Sequence, residues 1–199
     1  MLLSLVDQRI ETQIVAIEKK ESLIKATAHL LTHSDNTVRI ADCLENHSST
    51  LQEKDVSEQG HYPVFGATGV CGYTNQPMCT KSAILIVKDG SGVGNVSFSE
   101  GSFSVLGTMN YLTAKDGFDI RYLYCCLLNF DFTPYRTGMA IPHIYFKDYS
   151  KGRIGYVDSD KRHKIAGLIF AIKDKLCIER QLLDLYKQQK QYLLRNMFV

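Results

Sequence analysis

The sequence predicts an α+β fold in which one domain, rich in mixed β-sheet, lies between two long helices that pair as an antiparallel coiled coil. Apolar residues recur at heptad spacing at both ends of the chain, and the middle consists of short apolar runs separated by glycines. We therefore expect an N-terminal coiled-coil helix over residues 1–33, a globular domain over 34–157 and a C-terminal coiled-coil helix over 158–199.

The first helix is indicated by apolar residues seven positions apart. These residues are Leu3, Ile10, Ile17, Ile24 and Leu31, with Ile14 and Ala28 at the intervening seam position. Such spacing lets one helix pack along another. The helix should run from about Leu2 to Leu31, because the polar side chains of residues 33–36 compete for backbone hydrogen bonds.

The globular middle should contain several short strands and one short helix. The predicted strands cover 38–40, 62–65, 83–87, 96–98 and 103–106. Residues 83–87 are apolar throughout, which predicts a central strand covered on both faces. Asp119 is placed to cap a helix, one face of which carries Ile120, Leu123, Tyr124 and Leu127.

The last helix should begin at Asp158 or Ser159, either of which can serve as its N-cap. Its apolar seam again alternates steps of three and four residues. The seam residues are Ile165, Ile169, Ile172, Leu176, Leu183, Tyr186, Leu193 and Met197. Only Glu179 and Lys190 interrupt it.

The composition argues against a membrane protein and against a metal site. No apolar run approaches the roughly 20 residues that cross a bilayer, so we expect a cytoplasmic protein. The six cysteines show no Cys-x-x-Cys spacing, which favours reduced thiols and predicts neither a metal nor a cofactor. The net charge of +2 hides a segregation, since residues 161–199 carry nine bases against three acids.

Residues 88–95, Lys-Asp-Gly-Ser-Gly-Val-Gly-Asn, form a glycine-rich segment after a predicted strand. A nucleotide-binding loop is disfavoured, because no Gly-Lys-Ser/Thr and no helix pattern follow. Two interpretations remain, a tight turn between strands and a close approach to a ligand or DNA through Lys88, Ser91 and Asn95. The six histidines lie near no nucleophile motif, so we expect no catalysis by this chain.

A second segment, residues 133–143, is a polar loop framed by two prolines. It is either a solvated surface loop or a DNA contact. In the second case Arg136 and His143 would reach base edges, and Lys147 would contact phosphates.

Several segments resemble the target recognition domain of type I restriction-modification specificity subunits. Residues 62–73 and 83–96 carry the closest resemblance, 138–144 is similar to a late loop of that family, and 165–166 with 193–198 are similar to its spacer helix. The resemblance covers residues 37–198. It departs from the family at 158–164, where the usual start of the spacer helix is replaced.

The resemblance implies sequence-specific binding of double-stranded DNA on behalf of a separate methyltransferase subunit and a restriction subunit. Family members carry two recognition domains, whereas this sequence has one, which implies a half subunit. It should form a homodimer or pair with another half subunit and recognise a bipartite site. The main alternative is a coiled-coil adaptor or vestigial fragment that assembles without reading DNA, and a small enzyme using the glycine-rich loop is a third.

The expected DNA-binding residues occupy loops at the ends of predicted strands. They are Thr68, Lys88, Ser91, Asn95, Arg136, His143 and Lys147.

Overall fold

The computed structural model describes residues 2–197 and has the predicted α+β architecture. Its elements, in chain order, are α1 (Leu2–Thr32), β1 (Thr37–Arg39), α2 (Ile40–Cys43), β2 (Leu44–Ser48), β3 (Tyr62–Gly66), β4 (Gly69–Thr74), β5 (Ala83–Val87), β6 (Val96–Ser99), β7 (Ser104–Val105), β8 (Met109–Ala114), α3 (Ile120–Leu127), α4 (Phe146–Tyr149), β9 (Arg153–Gly155) and α5 (Ser159–Met197). In the part of the chain so described, no helix is long and apolar enough to span a membrane.

Three sheets form the middle of the chain. The largest is antiparallel and has the strand order β2-β8-β5-β6. A second sheet, β4-β3-β7, joins β3 to β7 in parallel, and β1 pairs with β9 beside the two long helices. The sheets are mixed in direction, as the sequence predicted.

Strand β5 is central and buried on both faces, as expected from its unbroken apolar run. Ile84 and Ile86 belong to a large core cluster that includes α3. Leu85 and Val87 point the opposite way, into a smaller cluster with Phe103. Successive side chains of a strand face opposite sides, so a strand between two hydrophobic layers shows no polar alternation.

The short helix α3 forms where it was predicted. Asp119 caps it, because its side chain accepts hydrogen bonds from the backbone amides of Arg121 and Tyr122. Strands β2, β4 and β8 were not predicted. Strand β2 is polar and β4 contains two glycines, so neither has the composition of a typical strand, and pairing with neighbouring strands overrides the weak local preference.

Helices α1 and α5 pack antiparallel within the same chain and form a two-helix stem. Three ion pairs fix the direction: Asp7 with Lys190 at 2.7 Å, Lys20 with Glu179 at 2.7 Å and Glu21 with Arg180 at 2.6 Å. Asp158 caps α5, since its carboxylate accepts a 3.0 Å hydrogen bond from the amide of Lys161.

The seam contains Ile17, Ile24 and Leu176 as buried side chains. The prediction for Ile14 was wrong: its side chain is exposed, and Gln13 is buried in its place. The Gln13 amide nitrogen donates to the backbone oxygen and to the carboxylate of Glu179. A polar cross-helix contact therefore occupies the position where apolar spacing predicted an isoleucine.

The other seam residues vary in burial. Leu3, Ile10, Leu31, Ile172, Leu183, Tyr186 and Leu193 are half-buried. The side chain of Met197 lies outside the described residues. The two interruptions of the predicted seam, Glu179 and Lys190, both bind acceptors or donors on α1, so they are cross-helix partners rather than gaps.

The first turns of α5 anchor the stem to the globular domain. Ile165 and Ile169 are buried in the same core cluster as α3 and the largest sheet. Beside them, the Lys173 ammonium lies 4.1 Å from the ring centre of Tyr124 and 4.9 Å from that of Phe170. The Phe98 ring lies at 5.4 Å, so the three aromatics enclose one cation where stem and domain meet.

Candidate nucleic-acid interface

Two loops join at the end of β5 to form one surface. The first is the glycine-rich turn, residues 88–95, and the second is the late loop, residues 136–147. The amide of Gly90 donates to the carbonyl of Pro142, and the amide of Ile144 donates to the carbonyl of Lys88, both at 2.9 Å. The Arg136 guanidinium adds a 2.9 Å hydrogen bond to the carbonyl of Val93. These bonds hold segments about fifty residues apart in the sequence.

The glycine-rich turn is a connection between β5 and β6, as one of the two open interpretations proposed. Its amides are used internally: Val93 donates to Gly90, Gly94 to Val87 and Asn95 to Gly92. A phosphate-binding loop needs such amides free and pointing at the ligand. Gly94 has φ of +88° and a Cβ there would lie 3.0 Å from Phe132, so the tight turn itself requires the glycine.

A cleft of about 530 Å³ opens beside the two loops. Lys88 and Lys147 both line it, so two ammonium groups converge on one opening with only the Asp89 carboxylate beside them. Asn46, on β2, also lines the cleft, but its Oδ1 atom is buried beneath the surface without a hydrogen-bond partner. Two cations on one opening suit the phosphate oxygens of a ligand.

The late loop contains a small hairpin over residues 137–143. Thr137 and His143 exchange two backbone hydrogen bonds, at 2.9 and 2.8 Å. Gly138 adopts φ of +86°, and a Cβ there would collide with the carbonyl of Ile141. The imidazole of His143 packs edge-on against the ring of Tyr145, with 4.9 Å between centres. The hairpin is therefore a defined structure rather than a flexible loop.

The seven predicted DNA-binding residues do not all share this surface. Lys88, Ser91, Arg136, His143 and Lys147 lie on the two joined loops. Asn95, the last residue of the glycine-rich turn, instead lies just before β6, beside a groove that Lys173 and Arg180 of the stem also line.

Thr68 belongs to the exposed β3–β4 turn, which is part of a different sheet. The amide of Leu106 donates to the carbonyl of Phe65, and the amide of Lys88 donates to the carbonyl of Thr108. This chain of contacts places the Thr68 turn at the same end of the domain as Lys88.

Two residues at the cleft were missed by sequence reasoning, Asn46 and Tyr145. Asn46 is just over one hundred residues from Lys147 in the sequence, on a strand that was itself not predicted. Tyr145 lies next to the predicted loop, and the Lys147 ammonium is 5.1 Å from its ring centre. Tyr145 could have been found from the sequence, because it is an aromatic residue flanked by two predicted DNA contacts, His143 and Lys147.

The stem presents a second surface, on its outer side. Large apolar side chains are exposed there at heptad spacing: Leu23 and Leu30 on α1, and Ile178, Leu185 and Tyr192 on α5. The two on α1 each lie one residue before a seam position. The three on α5 each lie two residues after a seam position. In an antiparallel helix pair both offsets turn toward the same side of the pair. We call these five residues the outer stripe.

Three buried thiols are unreactive at neutral pH. Burial raises the pKa of Cys43, Cys125 and Cys126 to about 12, so each stays protonated at neutral pH. Across residues 2–197, no three His, Cys, Asp or Glu side chains are grouped as metal ligands.

Solved structures of other proteins share this fold. The S subunit of the type I restriction-modification system from M. genitalium aligns over 97% of this chain and 57% of its own, with a TM-score of 0.78 and 20% identity. The HsdS subunit from Thermoanaerobacter tengcongensis aligns over 98% of this chain and 54% of its own, with a TM-score of 0.56 and 14% identity.

A third solved structure concerns complex assembly and conformational transition of the type I R-M system. It aligns over 99% of this chain and 56% of its own, with a TM-score of 0.61 and 14% identity. The chain thus spans little more than half the length of the solved proteins that it matches. No curated protein sequence matches it.

The model of one protein family matches residues 35–187, which include every strand, the two joined loops and most of α5. That family is described as the type I restriction modification DNA specificity domain. The match covers well over half of the chain, and the shared fold agrees with it. This protein belongs to the family of type I restriction-modification DNA specificity domains.

Proposed function

We propose that this chain is a DNA-recognition subunit with one recognition domain, residues 34–157, carried on a coiled-coil stem formed by residues 1–33 and 158–199. It directs a separate methyltransferase subunit, and in the full complex a restriction subunit, to a double-stranded DNA target. The observation that carries the proposal is the surface formed by the two joined loops, in a chain of this family. The chain contributes recognition rather than catalysis, and it acts in the cytoplasm.

The chemistry of the loop surface supports binding to duplex DNA. Lys88 and Lys147 present ammonium groups to phosphates, which gives affinity without sequence preference. Ser91 and His143 are short polar side chains suited to base edges, and Arg136 can pair with guanine through the guanidinium nitrogens that its contact with Val93 leaves free.

The outer stripe supports assembly through the stem. The heptad seam itself is used within the chain, where α1 meets α5, so a second protein must bind elsewhere. Five apolar side chains exposed to water along two helices are unusual on a surface that binds nothing. Their spacing matches that with which further helices pack. We propose that a second copy, or another half subunit, binds there and completes a bipartite reader.

Selection from a pool of random duplexes tests the recognition function. The full chain, alone and with its methyltransferase subunit, should enrich two short half-sites separated by unread bases. Affinity for the selected duplex should fall steeply as salt is raised, because the lysines displace counterions. Enrichment of no sequence, with the methyltransferase still bound, would establish the alternative of an adaptor that assembles without reading DNA.

Light scattering tests the assembly. The chain should be a dimer at micromolar concentration, and Leu185→Glu should convert it to a monomer, because a charge would be buried in the outer stripe. Gln191→Glu is the matched control, since it adds the same charge at an exposed position of α5 whose side chain turns about 100° around the helix from the stripe. A monomeric wild-type chain, or equal loss with both variants, contradicts the proposed dimer.

A further inference from the structure

The tip of the 137–143 hairpin is apolar and fully exposed. Met139 is as accessible as in an extended peptide, at 105%, and Ile141 is 67% exposed. Within residues 2–197, no other large hydrophobic side chain is as exposed as Met139, and Ile141 is second to it in the globular domain. Two large apolar side chains at one tip form a small projecting wedge, called here the apolar tip.

The hairpin holds the apolar tip in a fixed position. Its base is closed by the two backbone hydrogen bonds between Thr137 and His143, and it is tied to the glycine-rich turn through Pro142 and Gly90. The proline also restricts Ile141, which precedes it, to extended backbone. A pre-ordered tip loses little conformational entropy when it inserts into a partner.

The surroundings of the apolar tip carry three cationic side chains and one carboxylate, that of Asp89, whose backbone bridges to His143. Arg136 lies three residues before Met139, and the cleft lined by Lys88 and Lys147 begins where the hairpin joins the glycine-rich turn. A partner that accepts both an apolar wedge and flanking cations has an apolar interior behind a polyanionic exterior. Duplex DNA has this construction, since stacked bases lie between two phosphate backbones.

We infer that Met139 and Ile141 insert between two base pairs of the target, unstack that step and bend the duplex. The inference rests on the proposed function and adds a mode of reading to it. Isoleucine and methionine are among the side chains that other DNA-binding proteins use as wedges in this way. The inserted step would then be selected for its ease of unstacking, which favours flexible pyrimidine–purine steps without any hydrogen bond to their bases.

Fluorescence of 2-aminopurine tests the insertion, because this base analogue brightens when it is unstacked. The analogue is placed at successive positions of the duplex that selection has identified. Wild-type protein should brighten it at one step of each half-site. The double variant Met139→Ala/Ile141→Ala should abolish the signal and lower affinity about tenfold, since the energy of the inserted tip is lost.

Two controls separate insertion from a general defect. Met78→Ala removes another exposed methionine, one that precedes β5 and so lies at the opposite end of that strand from Lys88. It should leave both fluorescence and affinity unchanged. Met139→Leu keeps an apolar wedge and should keep the signal.

A mismatch at the brightened step provides an independent readout. A weakened step costs less to unstack, so it should raise the affinity of the wild-type chain and leave that of the double variant unchanged. Bound duplex without brightening at any position would overturn the insertion while leaving DNA recognition in place. The double variant could instead bind DNA normally but fail to bind the methyltransferase or to self-associate. That result would also overturn the inference and would identify a protein as the partner of the apolar tip. Failure of selection itself would refute the proposed function, a separate result.

Discussion

The stem and the loop surface are held together in opposite ways. The stem relies on side chains: a seam of apolar residues, interrupted by Gln13 and Glu179, with ion pairs along its edge. The loop surface relies on the backbone, since Gly90 meets Pro142 and Ile144 meets Lys88 through main-chain hydrogen bonds. A change of side chain therefore threatens stability in the stem, whereas on the loops it alters what the surface can bind.

The difference also separates two tasks. On the proposed function, the stem should set distance and direction, because a helix has a fixed rise per residue. The loops supply chemistry at one end of the domain. Experiments that alter length, packing or contacts separately should reveal which region governs which property.

Shortening the stem should have the largest effect on target choice. Residues 165–197 as a helix span about 50 Å, or about 15 base pairs, so the half-sites of a dimer should have centres separated by more than one helical turn. Deleting one heptad from each of α1 and α5 removes about 10 Å and should shorten the preferred spacer by about three base pairs.

Affinity of the shortened protein for the original site should fall toward the non-specific level, about a thousandfold or more. Competition binding with duplexes of graded spacer length measures it. An unchanged spacer preference, or a single continuous site, would show that the stem does not set the spacing.

Matched isoleucine truncations should separate the two regions next. Ile169 is fully buried where α5 enters the core, so Ile169→Ala should lower the free energy of unfolding by about 2–5 kcal/mol. Ile141→Ala, at the exposed apolar tip, should change it by less than about 0.5 kcal/mol. Urea denaturation measures both. Equal losses would mean that the loop surface depends on side-chain packing as the stem does.

Contacts on the loop surface should divide into base and phosphate readers. Arg136→Ala should weaken target binding by about 1–3 kcal/mol and relax preference at one base pair, whereas Lys147→Ala should weaken all sequences alike and reduce the salt slope by about one. Binding titrations at several salt concentrations measure both. Arg136 also holds the glycine-rich turn through Val93, so a loss that is equal for all sequences would identify it as a positioning residue instead.

Lys173, where the stem meets the domain, should add an effect that is confined to alkaline pH. Burial lowers its pKa to about 8, while Cys125, Glu100 and Asp174 nearby oppose the shift and Arg121 adds to it. The unfolded chain keeps this proton up to its ordinary pKa of 10.5, so between pH 8 and 10.5 the unfolded state binds more protons and the lysine makes stability rise with pH.

Lys173→Met should remove a slope of up to about 1.4 kcal/mol per pH unit in that interval. Chemical denaturation of the wild-type protein and the variant across this pH interval measures the difference between their slopes. The buried thiols titrate in both proteins, so their opposing contribution cancels in that difference. Identical slopes would mean that the ammonium is solvated rather than enclosed by its three aromatic neighbours.

Much of the fold was predictable because its signals are local and periodic. The heptads predicted both long helices, the apolar run predicted β5, and Asp119 predicted the start of α3. Periodicity cannot choose between adjacent seam positions when one of them is polar, which is why Ile14 was preferred to Gln13. The partner that makes Gln13 favourable, Glu179, is 166 residues away in the sequence.

The loop surface was predictable only as two separate segments. Lys88 and Arg136 were suspected from residue type and from their place after strands. Their joining depends on long-range backbone contacts that have no sequence pattern, and the cleft is completed by Asn46 from a strand with too polar a sequence to be recognised. The roles of the seven predicted contacts stay predictions until DNA is bound.

The main-chain bonding of the two loops bears on how readily such a surface can be altered. Lys88, Ser91, Met139, Tyr145 and Lys147 could all be randomised together in a library without removing a bond between the loops, provided that Gly94, Gly138 and Pro142 are kept. Most members of that library should fold, so selection would act on what each variant binds rather than on whether it folds. A protein constructed in this way can acquire new targets by exchanging a few exposed side chains on an unchanged frame.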